Sequence, residues 1–422
     1  MIRYGIVGVG GYAAVWLQAL ESLQDAGVVR LAAAVVRNPA RHPEAVARLQ
    51  QRGCALYASL EEMLDRAQGQ VDVVGLPTGI AQHVPMAIQA MEAGFSVLVE
   101  KPVAATIQEV HRLRQAESRT GRWCAVGYQF IYSRTIQWLR QKLASGQLGT
   151  LRQARAVIGW PRGDRYYARN SWAGQLQENG RWVLDGPATN ATAHHLTNML
   201  YLAASQGGAA ARVSTVRAEL YRARAIPSYD TSCVEVVLES GTRILHCASH
   251  ALVEEIEPVM DLICDHALVH WQSQGNRATI RHHDGRLEEG PGDDRASLHA
   301  QPFLQVARVA SGQDPAPLCG LAEAEPQVLV VNLAFESSAG IATIPAAHTR
   351  QGVAADGSPL VAVAGMADLL RQALASGRTF SELGAPWART TPSAPAEGYR
   401  RFPRNPALLC ELGCEGGIDP HG

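Results

Sequence analysis

Nowhere in its 422 residues does the chain string together enough uncharged apolar side chains to cross a bilayer, which takes about 20 in a helix. Charge of one sign is missing as well: 38 Lys and Arg face 39 Asp and Glu, a formal net charge of -1. That balance gives no global attraction to nucleic acid or to an anionic membrane, so neither is an expected partner. The start, Met1-Ile2-Arg3-Tyr4, leads straight into an apolar strand with no signal-peptide pattern, and the expected location is cytoplasmic. Cysteine shows no framework either. Cys54, Cys124, Cys233, Cys247, Cys264 and Cys319 are scattered, and Cys410 and Cys414 lack a nearby histidine or second pair for zinc. Reduced thiols and no metal are expected.

What the chain does have is 47% hydrophobic residues and length enough for two or three cores. Up to about residue 130, β-rich runs at 4–7, 31–36, 71–76, 96–99 and 123–127 alternate with helical patterns at 12–23, 43–51, 60–66, 83–93 and 107–120. Parallel strands need crossover helices, so this alternation predicts a parallel sheet covered on both faces. Gly27, Gly53, Gly94 and Gly121 follow helical runs, where a C-cap calls for positive φ. Past Gly149 a helix expected over 190–204 precedes consecutive β-rich runs at 213–221, 232–239, 242–248, 268–271 and 277–281. Strands without intervening helices predict an open, mostly antiparallel sheet. Helical patterns return at 296–310 and 322–340. The expected fold is α/β: a Rossmann doubly wound sheet over 1–130, then an α/β domain with a large open, mostly antiparallel sheet over 131–389. Residues 390–422, rich in Pro, Gly and Arg, read as a loosely ordered tail or a strap over the body.

Gly8-Val9-Gly10-Gly11-Tyr12-Ala13 joins the first strand to the first helix and fits G-x-G-x-x-G/A. Gly8 permits the tight turn, Gly10 lets backbone approach a pyrophosphate, and Ala13 lets the helix pack closely. The helix start offers N–H donors to the phosphates. An NAD-specific site usually ends its second strand with an acid that holds the ribose. Here that place is Val36, followed by Arg37 and Asn38. A carboxylate repels a 2′-phosphate whereas Arg37 clamps one, with Asn38 adding a hydrogen bond. NADP is therefore favoured over NAD.

Val97-Leu98-Val99-Glu100-Lys101-Pro102 puts a cation at the end of a parallel strand, where doubly wound sheets open onto a ligand crevice. Together with the glycine loop, this segment resembles the Gfo/Idh/MocA oxidoreductases, the family of glucose–fructose oxidoreductase and inositol dehydrogenase. Leu76-Pro77-Thr78 with His83 resembles the family's loop beside the nicotinamide, and Val126-Gly127-Tyr128-Gln129 resembles its last Rossmann strand. The resemblance covers residues 1 to about 205. It implies cofactor contacts from Gly11, Tyr12, Pro77, Thr78, His83, Glu100, Lys101 and Gln129. It also implies a substrate cleft and a homo-oligomer, dimer or tetramer, formed through the C-terminal sheet.

In the family's dehydrogenases the lysine works with an Asp and a His spaced D-x-x-x-H on a helix. The matching region runs from Asp185-Gly186-Pro187 to Asn190-Ala191-Thr192-Ala193-His194-His195. Taking His194 as the family histidine places Asn190 where the Asp belongs; taking His195 places Ala191 there, which contributes nothing. Lys101, His194 and Asn190 are thus the expected catalytic set, since residues four apart share a helix face. Asp185 and His195 are placed with the substrate contacts. Arg162, Tyr166, Tyr167 and Trp172, with Tyr128, supply the mix of polar groups and rings that suits a sugar or cyclitol. The expected activity is NAD(P)-dependent hydride transfer at a secondary alcohol of a sugar, cyclitol or related polyol. Two alternatives are a cofactor-recycling glycoside hydrolase or lyase of the same family and a non-catalytic dinucleotide sensor.

Overall fold

The computed structural model describes residues 1–208 and 210–414, and these form two compact units. The first unit is Met1–Ala104, Glu109–Ser133 and Asp294–Ala324; the second takes Ala105–Gln108, Arg134–Asp293 and the chain from Glu325 on. No single cut therefore separates them, because the segment after Asp293 returns to the first unit.

The first unit is built on six parallel strands: β1 (Ile2–Val7), β2 (Val29–Val35), β3 (Ala55–Tyr57), β4 (Val73–Leu76), β5 (Ser96–Val99) and β6 (Cys124–Val126). Their order, β3-β2-β1-β4-β5-β6, reverses direction after β1 and is that of a doubly wound dinucleotide-binding sheet. Val73–Leu76 and Ser96–Val99 are buried along their whole length, as strands covered on both faces must be. Helices Ala13–Asp25, Pro43–Gln51, Leu60–Arg66, Ile80–Glu92 and most of Ile107–Thr120 make the crossovers. The four glycines expected to cap helices all adopt positive φ. The returning helix Arg295–Ala310 sets Phe303 edge-on to both Tyr4 and Trp16, and the Tyr4 hydroxyl donates to the Phe303 carbonyl at 2.7 Å. β3 escapes the sequence reading because three half-buried residues leave no periodic signal.

The second unit is a ten-stranded mixed sheet. In spatial order nine strands run Leu287–Glu289, Arg277–His282, Ala267–Gln272, Ile256–Cys264, Leu151–Gly159, Arg243–Ser249, Thr231–Leu238, Val213–Arg222 and Ala342–Thr343. Most neighbours are antiparallel, as expected, but Leu151–Gly159 and Arg243–Ser249 run parallel side by side. Ile256–Cys264 was not foreseen: Pro258 falls inside it, at a register shift between Ile256 and Val259 where a missing N–H is tolerated. Helices Ala193–Ala204 and Met366–Ser376 both pack on the two parallel strands.

Two expectations change here. The tail beyond 390 is, as far as 414, a strap rather than loose chain: Ser393–Pro395 pairs with Thr215–Arg217, and Phe402 is buried edge-on to Trp182 and Phe335. Residues 415–422 lie outside the described residues. The single helix expected over 190–204 is instead a π-helical turn, Pro187–Ala191, followed by an α-helix from Ala193. Pro187, which lacks an N–H, starts that turn, and its carbonyl accepts from both the backbone N–H and the hydroxyl of Thr192 at 2.8 Å.

Candidate functional site

The glycine loop has the backbone that a phosphate cradle needs. Gly8 has φ 95° and Gly11 φ 58°, a region open to glycine and strained for other residues. A Cβ on Gly8 would lie 3.8 Å from that of Ala13, so the turn and the helix start are in close contact. Tyr12 precedes the helix Ala13–Asp25 and its side chain does not cap it; the N–H groups of Ala14, Val15 and Trp16 bond to the Gly11 and Tyr12 carbonyls, and the positive end of the helix dipole faces the loop. The Tyr12 hydroxyl donates to Gln129 Oε1 at 3.2 Å, which ties the loop to the end of β6.

At the end of β2, Val36 is buried and its N–H bonds to the Tyr57 carbonyl, so it offers no side chain to a ribose. Arg37 and Asn38 are exposed beside it. Sequence reading overlooked His42, whose Cε1 would stand 2.8 Å from a Cβ on Gly10. The imidazole leans on the glycine loop from the following turn, and no spacing rule would have flagged it.

β5 delivers Glu100 and Lys101. Glu100 is buried under Gly127, where an added Cβ would meet Glu100 Oε2 at 3.0 Å. Burial pushes its carboxyl up, and the Lys101 ammonium opposes that rise. Lys101 itself is half-buried at the strand's exit. His83 is only 1% exposed, with its ring nitrogens 2.7 Å from the Pro102 carbonyl and 3.0 Å from that of Thr78. Burial lowers its pKa, and the two carbonyls work the other way. His83 therefore clasps the Thr78 loop to the Lys101-Pro102 turn rather than turning a nitrogen outward to a ligand. Thr78 contrasts with it: its Oγ1 is buried without a hydrogen-bond partner, a polar atom in want of a ligand. Tyr128, expected among the substrate contacts, is 0% exposed and offers a substrate no surface. His299, not foreseen, lines a small pocket with Tyr12, Trp16, Glu100 and Gln129.

In the second unit Asp185 is the fixed point. It accepts from the Gly174 N–H at 2.7 Å and from Asn190 Nδ2 at 2.8 Å. Asn190 thus sits in the π-turn bound to an acid, not one α-helical turn before His194 on a continuous face as expected. His194 opens the α-helix and is 8% exposed. His195 is set between two indoles, 6.1 Å from Trp160 and 5.6 Å from Trp271 by ring centres, a packing arrangement. Arg162, Tyr166, Tyr167 and Trp172 do gather. Arg162 lies 4.8 Å from the Tyr166 ring centre, while Arg169 lies 3.6 Å from that ring and 5.3 Å from Trp172. Arg169 was passed over although it stands in the same segment, between Tyr167 and Trp172; His250, whose ring is 5.5 Å from Tyr166, was missed because it joins the group only in the fold.

A parallel sheet of this order with such a glycine loop defines a dinucleotide-binding unit. Residues 2–128 match the model of the Gfo/Idh/MocA oxidoreductase family, described as an NAD-binding Rossmann fold. Among curated relatives, dTDP-3,4-didehydro-2,6-dideoxy-alpha-D-glucose 3-reductase of Saccharopolyspora spinosa is 28% identical over 38% of this chain and 46% of its own. An alpha-N-acetylgalactosaminidase of Shewanella oneidensis is 26% identical over 41% of this chain and 39% of its own. The chain spans less than half the length of either. Among solved structures, the WlbA dehydrogenase from Bordetella pertussis, in complex with NADH and UDP-GlcNAcA, superposes with a TM-score of 0.65. That match covers 80% of this chain and 95% of the other at 21% identity, and it speaks for the fold. Among the described residues no helix is long and apolar enough to cross a membrane, and no cluster of metal-binding side chains is present.

Proposed function

We propose that the chain is an NAD(P)-dependent oxidoreductase that moves hydride between a nicotinamide cofactor and a secondary alcohol carbon of a sugar, free or nucleotide-linked. The glycine loop carries this reading: positive φ at Gly8 and Gly11 where β1 turns into the first helix, on a sheet whose β5 ends just before Glu100 and Lys101. The bound cofactor would supply the hydride acceptor or donor, while the protein manages the oxygen and the proton. Lys101 donates a hydrogen bond to the substrate oxygen and stabilises negative charge on it. His194 takes the hydroxyl proton in oxidation and returns it in reduction. Asn190 cannot neutralise the charged imidazole; Asp185, to which it is bonded, brings a carboxyl to the same turn. NADP(H) is preferred over NAD(H), because residues 36–42 bring Arg37, Arg41 and His42 to the end of β2 and no acid. A second copy would pack on the outward side of strands Ala267–Gln272 and Arg277–His282, where every other residue is exposed.

Incubation with each cofactor and a panel of sugars and nucleotide sugars, followed at 340 nm with product analysis, tests the reading. Stoichiometric change in NAD(P)H is expected. Similarity to the galactosaminidase supports one other reading, transient oxidation with net bond cleavage, which would give product without net change at 340 nm. Cofactor binding with no product from any sugar would refute both.

A further inference from the structure

The parallel strands Leu151–Gly159 and Arg243–Ser249 leave the sheet together. The Trp160 N–H bonds to the Ser249 carbonyl at 3.0 Å, and the Arg162 N–H bonds to the His250 carbonyl at 3.1 Å. Trp160, Arg162 and His250 therefore stand at the carboxyl ends of adjacent parallel strands, the edge at which α/β sheets bind ligands. Around them Tyr166 acts as a hub. Arg162 and Arg169 lie 4.8 and 3.6 Å from its ring centre, and the His250 ring meets it edge-on at 5.5 Å. His250 is 3% exposed; its Nδ1 is 3.4 Å from the Tyr167 hydroxyl, and its Nε2 is buried with no hydrogen-bond partner. Arg162 Nε is buried and without a hydrogen-bond partner in the same way. Nearby acids are engaged elsewhere: Asp164 pairs with Arg224, and Asp185 holds Gly174 and Asn190.

We propose that Arg162, Arg169 and His250 form a subsite for an anionic substituent of the substrate, a carboxylate or a phosphate. Buried donors without partners are costly unless a ligand completes them, and two guanidinium groups on one ring select the sign of that ligand. Burial, together with the two guanidinium charges, holds His250 in its neutral form. With the Tyr167 hydroxyl donating to Nδ1, the tautomer with Nε2–H presents a donor to the anion. The aromatic rings keep the guanidinium planes fixed and accept the apolar side of the sugar. This inference rests on the sugar-oxidoreductase reading for the rest of the molecule being bound.

The test uses the full chain saturated with NADPH and measures binding of D-glucose, D-glucuronate, D-glucose 1-phosphate and UDP-glucose by calorimetry. At least one anionic ligand should bind about tenfold or more tightly than D-glucose, the ratio expected of one charge-assisted contact. Preference for glucuronate assigns a carboxylate, and preference for the two phosphate-bearing ligands assigns a phosphate. Arg162→Gln should bring that ratio to within about twofold, Arg162→Lys should retain part of it, and NADPH affinity should not change in either. D-glucose binding as tightly as every anion, or Arg162→Gln and Arg169→Gln both keeping the ratio, overturns the proposal. So does the failure of all four ligands to bind while NADPH does. Failure of the wild-type chain to bind either NADPH or NADH would instead sink the oxidoreductase reading itself.

Discussion

Removing the carboxyl group of Asp185 should loosen the turn that leads into His194, and the cost can be worked from two hydrogen bonds. Asp185 is 3% exposed and accepts from the Gly174 N–H at 2.7 Å and from Asn190 Nδ2 at 2.8 Å. A hydrogen bond to a charged group contributes about 1.5–3 kcal/mol, so Asp185→Ala is expected to cost the second unit about 3–6 kcal/mol. Asp185→Asn keeps one carbonyl acceptor and should lose about half of that. A double-mutant cycle with Asn190→Ala isolates the side-chain pair and should return a coupling of about 1.5–3 kcal/mol. Denaturant unfolding supplies the energies. Hydrogen exchange at Asn190 and Thr192, whose N–H groups bond to Gly186 and Pro187, reports on the turn itself. A coupling below about 0.5 kcal/mol, within the error of additivity for independent sites, would refute the reasoning. Unchanged protection of those amides in Asp185→Ala would do the same.

Lys101→Ala should keep NAD(P)H affinity near wild type and lower turnover on the true substrate by about a hundredfold or more; near-normal kcat would make Lys101 structural. Arg37→Ala should weaken NADPH about tenfold and leave NADH nearly unchanged, since the exposed guanidinium contributes one charge-assisted contact. Equal effects on both cofactors in a fluorescence titration would remove that role. Burial pushes His246 down from 6.5 to about 4, so the folded chain keeps a neutral ring that the unfolded chain protonates. This contribution is fully present above pH 6.5 and is lost as pH falls toward about 4, so the stability of His246→Gln should fall less steeply than that of wild type there. Parallel pH profiles for the two proteins would contradict it.

The first unit was legible because its signals are local. Strand 96–99 and the helices at 43–51, 60–66 and 107–120 fall where the sequence puts them, since short buried apolar runs alternate there with amphipathic ones bounded by glycine. The glycine loop was legible for the same reason, as its parts are neighbours in sequence. His42 was not, because it reaches Gly10 from the far side of β2. In the second unit Arg162 and His250 meet only because two parallel strands pair in register, Gly159 opposite Ser249. Pairing register is a property of the sheet, and no single segment announces it.

The D-x-x-x-H spacing shows how a motif can mislead about geometry. Residues four apart share a face only on an α-helix, and the bond from the Thr192 N–H to the Pro187 carbonyl spans five residues instead. Asn190 therefore points to Asp185, and the acid enters this turn from the preceding loop rather than from the helix position where the family carries it. Restoring the family's residue should then harm the protein. Asn190→Asp replaces a donor with an acceptor 2.8 Å from a carboxyl oxygen, so two acids would share one buried site. Like charges at that distance cannot both ionise, and one carboxyl pKa must rise. A raised folded pKa gives stability that is present at low pH and lost as pH rises through it. The deficit of Asn190→Asp against wild type should accordingly be small near pH 4 and grow by pH 8, with a matching loss of turnover. A deficit that does not change with pH, or a variant more active than wild type at pH 8, would show that Asn190 does not face Asp185 and would return it to the helix face beside His194.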